Sequence, residues 1–198
     1  MIIFCSANKS TCLQWKDSHN LRKKERIREK AVLSLVVENH ANVLARVASL
    51  FSRRGFNIDS LTVSTTDNPE VSRITIVTEG DAQVLKQIIQ QTEKLIETKL
   101  VFVLDSEKSL LRELLLLKIA VDEDSLSKVK EIAEIYHAKI IDVTPTCMTL
   151  ELTGRPDKIN SFLGMLKKYK VVEMCRTGIT GMERGENSYV TQVLHGEA

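Results

Sequence analysis

The chain spells out the same order of elements twice, and this repeat limits its possible folds more than any other feature. Ala31–Glu38 (AVLSLVVE) is apolar and rich in β-branched residues, the composition of a buried strand. Residues 39–42 form a polar turn, and Asn42 is placed to cap a helix running to about Arg54. Leu44, Val47, Ala48 and Phe51 share one face of that helix, and Gly55 stands where a left-handed terminating residue belongs. Strands over 58–66 and 71–78 flank Asp67-Asn68-Pro69, which is hairpin chemistry. Asp81 caps a second helix to about Leu95, and 100–104 is a fourth strand. The order is βαββαβ.

The second copy begins with a strand over 113–121. A helix follows, capped by Asp124 or Ser125 and ending near His137. Strands at 139–143 and 148–153 surround Thr144-Pro145, and Pro156 suits the first turn of a helix to about Tyr169. A strand over 171–179 completes it. The expected fold is therefore α+β: two tandem ferredoxin-like βαββαβ units over 30–105 and 112–182, with a linker at 106–111 and a polar tail over 183–198. Each unit has only about 75 residues, so its core is limited. Its sheet also keeps unpaired edges. Both features predict oligomerisation.

Charge bears on partners only when it is split. The net charge is +2, from 28 basic and 26 acidic residues. Residues 1–30 hold eight of the former and three of the latter, so the body is mildly acidic. Residues 1–29 read as a mobile basic extension, not as an arm for nucleic acid. A base-stacking sheet needs aromatic residues, and the strands at 31–38, 71–78 and 148–153 have none, which argues against an RNA-binding βαββαβ module. The longest apolar run, 114–121, is interrupted by Lys118 and falls well short of the ~20 residues of a membrane span. Cys5, Cys12, Cys147 and Cys175 show no CxxC spacing. Neither a disulfide framework nor a metal site is expected, Cys147 and Cys175 read as buried strand thiols, and the expected location is the cytoplasm.

No nucleophile–base spacing, phosphate loop or HExxH motif is present, so no catalytic residues are expected. The informative segment is the first strand–turn–helix, Asn39-His40-Ala41-Asn42-Val43-Leu44. A helix N-terminus offers free N–H groups and partial positive charge to a carboxylate. The Asn39 and Asn42 amides can both donate and accept. A second polar turn, Gly55-Phe56-Asn57-Ile58, follows the same helix. If two units pair by their edges, the turns would meet across the interface and hold both ends of a free amino acid, with Val43 and Ile58 beside its side chain. The same residues also fit a plainer reading, in which Asn42 only caps and Asn57 only turns.

Several runs resemble one family. Leu35-Val36-Val37-Glu38-Asn39, Leu44-Ala45-Arg46-Val47 and Leu50 through Val63 (LFSRRGFNIDSLTV) resemble the ACT domain of the acetolactate (acetohydroxyacid) synthase small, regulatory subunit. Thr66-Asp67 with Ser72-Arg73-Ile74-Thr75-Ile76 does so too. Ile140-Ile141-Asp142-Val143-Thr144-Pro145 and Arg176 through Gly185 (RTGITGMERG) are similar to its C-terminal signatures. The resemblance covers about 30–186 and leaves the first residues outside. It implies a non-catalytic partner of a large subunit that carries thiamine diphosphate, FAD and magnesium, with no cofactor on this chain. It implies a homodimer through ACT domains, activation of the large subunit, and feedback inhibition by valine or a related branched-chain amino acid. The implied effector residues are Asn39, His40, Ala41, Asn42, Val43, Leu44, Asn57 and Ile58. The alternative is a stand-alone ACT-type regulator of another enzyme. Where the family commonly has glycine, this chain has Asn42; asparagine is the next most tolerant residue for positive φ.

Overall fold

The computed structural model describes residues 29–186 and Val190. The basic extension, except Glu29, and most of the polar tail lie outside those residues. The first half contains β1 (Glu29–Glu38), α1 (Val43–Arg54), β2 (Ser60–Thr65), β3 (Val71–Gly80), α2 (Ala82–Thr92) and β4 (Thr98–Val103). The second contains β5 (Ser109–Ala120), α3 (Glu123–Tyr136), β6 (Lys139–Val143), β7 (Cys147–Gly154), α4 (Pro156–Leu166), β8 (Val171–Arg176) and β9 (Thr180–Glu183). The sheets are antiparallel, ordered β2-β3-β1-β4 and β6-β7-β5-β8, with β9 added on β5. This is the expected pair of ferredoxin-like βαββαβ units.

Alternation along the strands builds each core. Leu33, Leu35 and Val37 of β1 face the helices with Ile74, Ile76 and Val101. Leu115, Leu117 and Ile119 of β5 do the same with Met148, Leu150 and Leu152. On α1 the buried residues are Val43, Val47 and Phe51. The expected stripe therefore differs at its first position: Leu44 is 41% exposed, and Val43 takes the core position. Val47 and Phe51 are buried as expected and Ala48 is half-buried, so the difference lies at the helix entry, where Asn42 adopts φ 73°. Phe51 then meets Phe56 edge-on, centroids 6.1 Å apart, which ties the turn after α1 to the core.

Three expectations need correction. The segment expected as a linker is largely strand, because β5 starts at Ser109 and pairs with β9 over 109–112. The last strand is not continuous: β8 stops at Arg176 and β9 resumes at Thr180, taking Glu183 out of the expected tail. Neither thiol is buried; Cys147 is half-buried and Cys175 exposed, because β8 is an edge strand and Cys175 pairs with Leu116 on the face away from the helices. The first two share one cause. Leu111 and Ile179 are buried against Val77 and Leu104, with Val32 and Phe102 beside them. The two halves thus share a small third core on the back of the first sheet. Arg73 lies on that back face, donates to Ser34 Oγ (2.8 Å), and stacks on Phe102 at 5.6 Å. Burial pulls its guanidinium below its ordinary pKa, and the charge of Glu183 on β9 pushes it back up.

The C-terminal core centres on Phe162, which has no exposed surface. Phe162→Ala is expected to cost about 3–5 kcal/mol, as core Phe truncations do, read as a lowered urea midpoint of the full chain.

Candidate functional site

The β1–α1 turn is held by the turn between β2 and β3. The Asn39 amide donates to Pro69 O (2.7 Å) and accepts from Ser72 Oγ (2.9 Å), while its backbone N–H reaches Glu70 O (2.8 Å). Asn39 therefore spends its side chain on the scaffold. His40 Nδ1 lies 3.0 Å from Ala41 O and Nε2 lies 3.3 Å from Glu38 Oε2. Asn42 does not cap by its side chain: it sits in the left-handed region and makes no capping hydrogen bond. Its carbonyl accepts from Arg46 N–H (2.9 Å) and starts the helix. The first turn of α1 therefore presents its backbone donors without a side chain in front of them. Arg46 also pairs with the buried carboxylate of Glu97, whose backbone carbonyl accepts from Glu38 N–H, so the loop before β4 braces the same corner.

The second turn is built as firmly. Gly55 has φ 69° and bonds back to Ser52 O (3.1 Å). Such a left-handed helix end favours glycine. Thr78 Oγ1, fully buried, donates to Asn57 O (2.7 Å), and Asp59 N–H donates to Val77 O (2.8 Å). Asn57 Nδ2 donates to Asp59 Oδ1 (2.6 Å), and Lys30 Nζ lies 3.4 Å from Asp59 Oδ2. The structure exposes Asn39, His40, Ala41, Asn42 and Leu44 at the start of α1 and Asn57, with Ile58 half-buried beside it, at the opposite end of that helix, so one copy does not bring the two turns together. Val43 belongs to neither turn's surface, being 4% exposed inside the core. The edge strand β2 continues from the Asn57 turn and exposes Leu61 (36%) and Val63 (43%).

Two family models match this chain. One is described as an AHAS small subunit-like ACT domain and covers residues 33–99; the other, small subunit of acetolactate synthase, covers 112–185. A probable acetolactate synthase small subunit of Archaeoglobus fulgidus is 44% identical over 156 residues, 79% of this chain and 98% of that protein. The isozyme 3 small subunit of Salmonella typhimurium is also 44% identical, over 78% of this chain and 96% of its own length. The chain belongs to the acetolactate synthase small-subunit family. The crystal structure of the Thermotoga maritima acetolactate synthase small subunit superposes with a TM-score of 0.73 at 37% identity, covering 80% of this chain and 99% of that one.

Within this small subunit the two helix entries differ in kind. At α3, Asp122 caps and Ser125 returns the bond, so both sit in front of the first turn. The cap is therefore Asp122, ahead of the Asp124 or Ser125 expected from the sequence. The C-terminal entry is closed by its own side chains, and the N-terminal entry is open. Among the described residues, no three His, Cys, Asp or Glu side chains converge as metal ligands, and no helix is long and apolar enough to cross a membrane.

Sequence reasoning missed the bracing groups. Glu113 is 7% exposed and pairs with Arg176, which also donates to Asn160 Oδ1 (2.9 Å). The signal was available: a carboxylate on the inward face of a strand requires a partner. The anchors Thr78 and Glu97 gave no local signal, since their partners lie 21 and 51 residues away.

Two outcomes test this geometry. Asn42→Ala is expected to lose about 1–2 kcal/mol in urea unfolding, because a Cβ without a compensating side chain strains the left-handed backbone, whereas Asn42→Gly stays near wild type. The Ser125 hydrogen bonds hold the Asp122 carboxyl below its usual value of 3.8. Its stabilisation is therefore complete above pH 3.8 and fades as pH falls through the lowered folded-state value. Asp122→Ala should unfold at lower urea than wild type at pH 7, and the gap should close in strong acid.

Proposed function

We propose that this chain is the regulatory partner of a thiamine-diphosphate-dependent acetolactate synthase large subunit, raising its activity and lowering it again when valine binds. The observation that carries the reading is the open N-terminus of α1, entered through a left-handed Asn42, with the polar Asn57 turn at the opposite end of the same helix, where the edge strand β2 begins. The carboxylate of a free amino acid fits the first turn of α1, which no Asn42 side chain caps and where Val43 N–H makes only a long bond to His40 O (3.5 Å), and the helix end supplies partial positive charge. The Asn57 and Asn42 amides serve its polar ends. Leu44 and Ile58 border its side chain, and a branched aliphatic chain suits them.

Neither turn alone encloses such a ligand, and the length of α1 separates the two within one copy. Antiparallel pairing of β2 of one copy beside β2 of a second would satisfy the free backbone edge and cover Leu61 and Val63. It would also bring the start of α1 in each copy toward the Asn57 turn of the other, completing two sites per dimer. The cofactors thiamine diphosphate, FAD and magnesium belong on the large subunit, whose chemistry this chain modulates. Inhibition requires valine to favour one of two assembly states through differential affinity. We assign it to the dimer arrangement that supports the catalytic subunit poorly.

Titrating valine into the isolated protein by calorimetry tests the site. Saturable heat is expected, and its absence at millimolar valine would sink the claim. Asn57→Ala should weaken binding by about 1.5–3 kcal/mol, the loss of a hydrogen bond to a charged group. Thr78 holds the Asn57 backbone carbonyl, so the turn itself should persist in that variant.

A further inference from the structure

We propose that residues 177–179 couple the β2 edge to the C-terminal unit, with Gly178 as the positioning residue. The segment joins β8 to β9 and is fixed to its own unit on both sides. Thr177 N–H donates to Leu114 O (3.0 Å), and Leu114 N–H donates to Thr177 Oγ1 (3.0 Å). Ile179 is 6% exposed in the shared core. On its other side the segment lies directly on β2. A Cβ at Gly178 would stand 2.5 Å from Thr62 Oγ1 and 3.1 Å from both the carbonyl carbon and the oxygen of Leu61. Two of those three atoms are backbone and cannot swing aside, so only glycine lets the segment approach β2 this closely.

The position of this contact gives it consequence. β2 starts three residues after Asn57, and Leu61 is at once the residue whose side chain lies exposed on the sheet edge and the one whose carbonyl meets Gly178. Beside the contact, the boundary between the halves opens into a cleft of about 710 Å³ lined in part by Lys30, Ser60, Arg155 and Arg176. The halves thus meet through the narrow strap and the small shared core, with open space alongside. A shift of β2 therefore bears on 177–179, and with it on β8 and β9. The biological use of this coupling rests on the effector reading above; its geometry does not.

Hydrogen–deuterium exchange on the full chain tests it, with wild type, Gly178→Ala and Thr62→Ala, each with and without valine. Without ligand, Gly178→Ala should speed exchange about tenfold in both 60–65 and 180–183, the scale of an overpacked contact, and leave 147–154 unchanged. Thr62→Ala opens the same contact without crowding, should speed exchange over 177–183, and carries the test if the glycine variant does not fold. Unchanged exchange in those segments would overturn the proposal. In wild type, valine should alter exchange over 171–183 as well as at its own site. Valine protection confined to 39–58 would overturn the coupling and leave the effector reading standing. No valine effect at 39–58 would instead contradict the effector reading, and the ligand-free comparison would then decide the coupling alone.

Discussion

The backbone of β2 is hydrogen-bonded to β3 on one side and has no strand on the other among the described residues. A βαββαβ unit cannot avoid this. With β1 and β3 paired at the centre over ten residues, β2 and β4 are left as edges. The turn that ends α1 must then deliver the chain to an edge, so the Asn57 turn opens the unpaired strand, while the start of α1, held by the turn between β2 and β3, stands at that strand's far end. Exposed apolar side chains on that edge, Leu61 and Val63, are what a second copy would cover.

The corner itself is an economy of backbone geometry. Asn42 gives up the capping role its residue type suggests and supplies a left-handed turn instead. Beyond it Val43 lies in the core, Leu44 is exposed, and no Asn42 side chain caps the first turn. Asn39 does the reverse, committing its whole amide to Pro69 and Ser72. At the α3 entry, Asp122 and Ser125 fill the equivalent place with a capping box.

The period of the sequence made the elements legible. Alternating apolar residues in β1, β3 and β7, Gly55 at a helix end and Pro156 at a helix start each carry their meaning locally, and the element order follows from them. The resemblance added the identity of the corner. What the sequence hid depends on contacts across the chain. The helical stripe of α1 departs from the sequence pattern only at its start, where Val43 and not Leu44 faces the core and the chain enters through the positive φ of Asn42. The strand character of 109–112 was hidden by its polar start and is revealed only by β9. The break at 177–179 and the need for Gly178 appear only when β2 is set against it.

The regulatory role we propose has this chain raise the activity of a thiamine-dependent large subunit and valine lower it again. Reconstitution with the large subunit from the same source, following acetolactate formation with and without valine, tests that most directly. A higher rate is expected when this chain is added, and a fall in that rate when valine follows. An unchanged rate on adding this chain to a competent large subunit would contradict it.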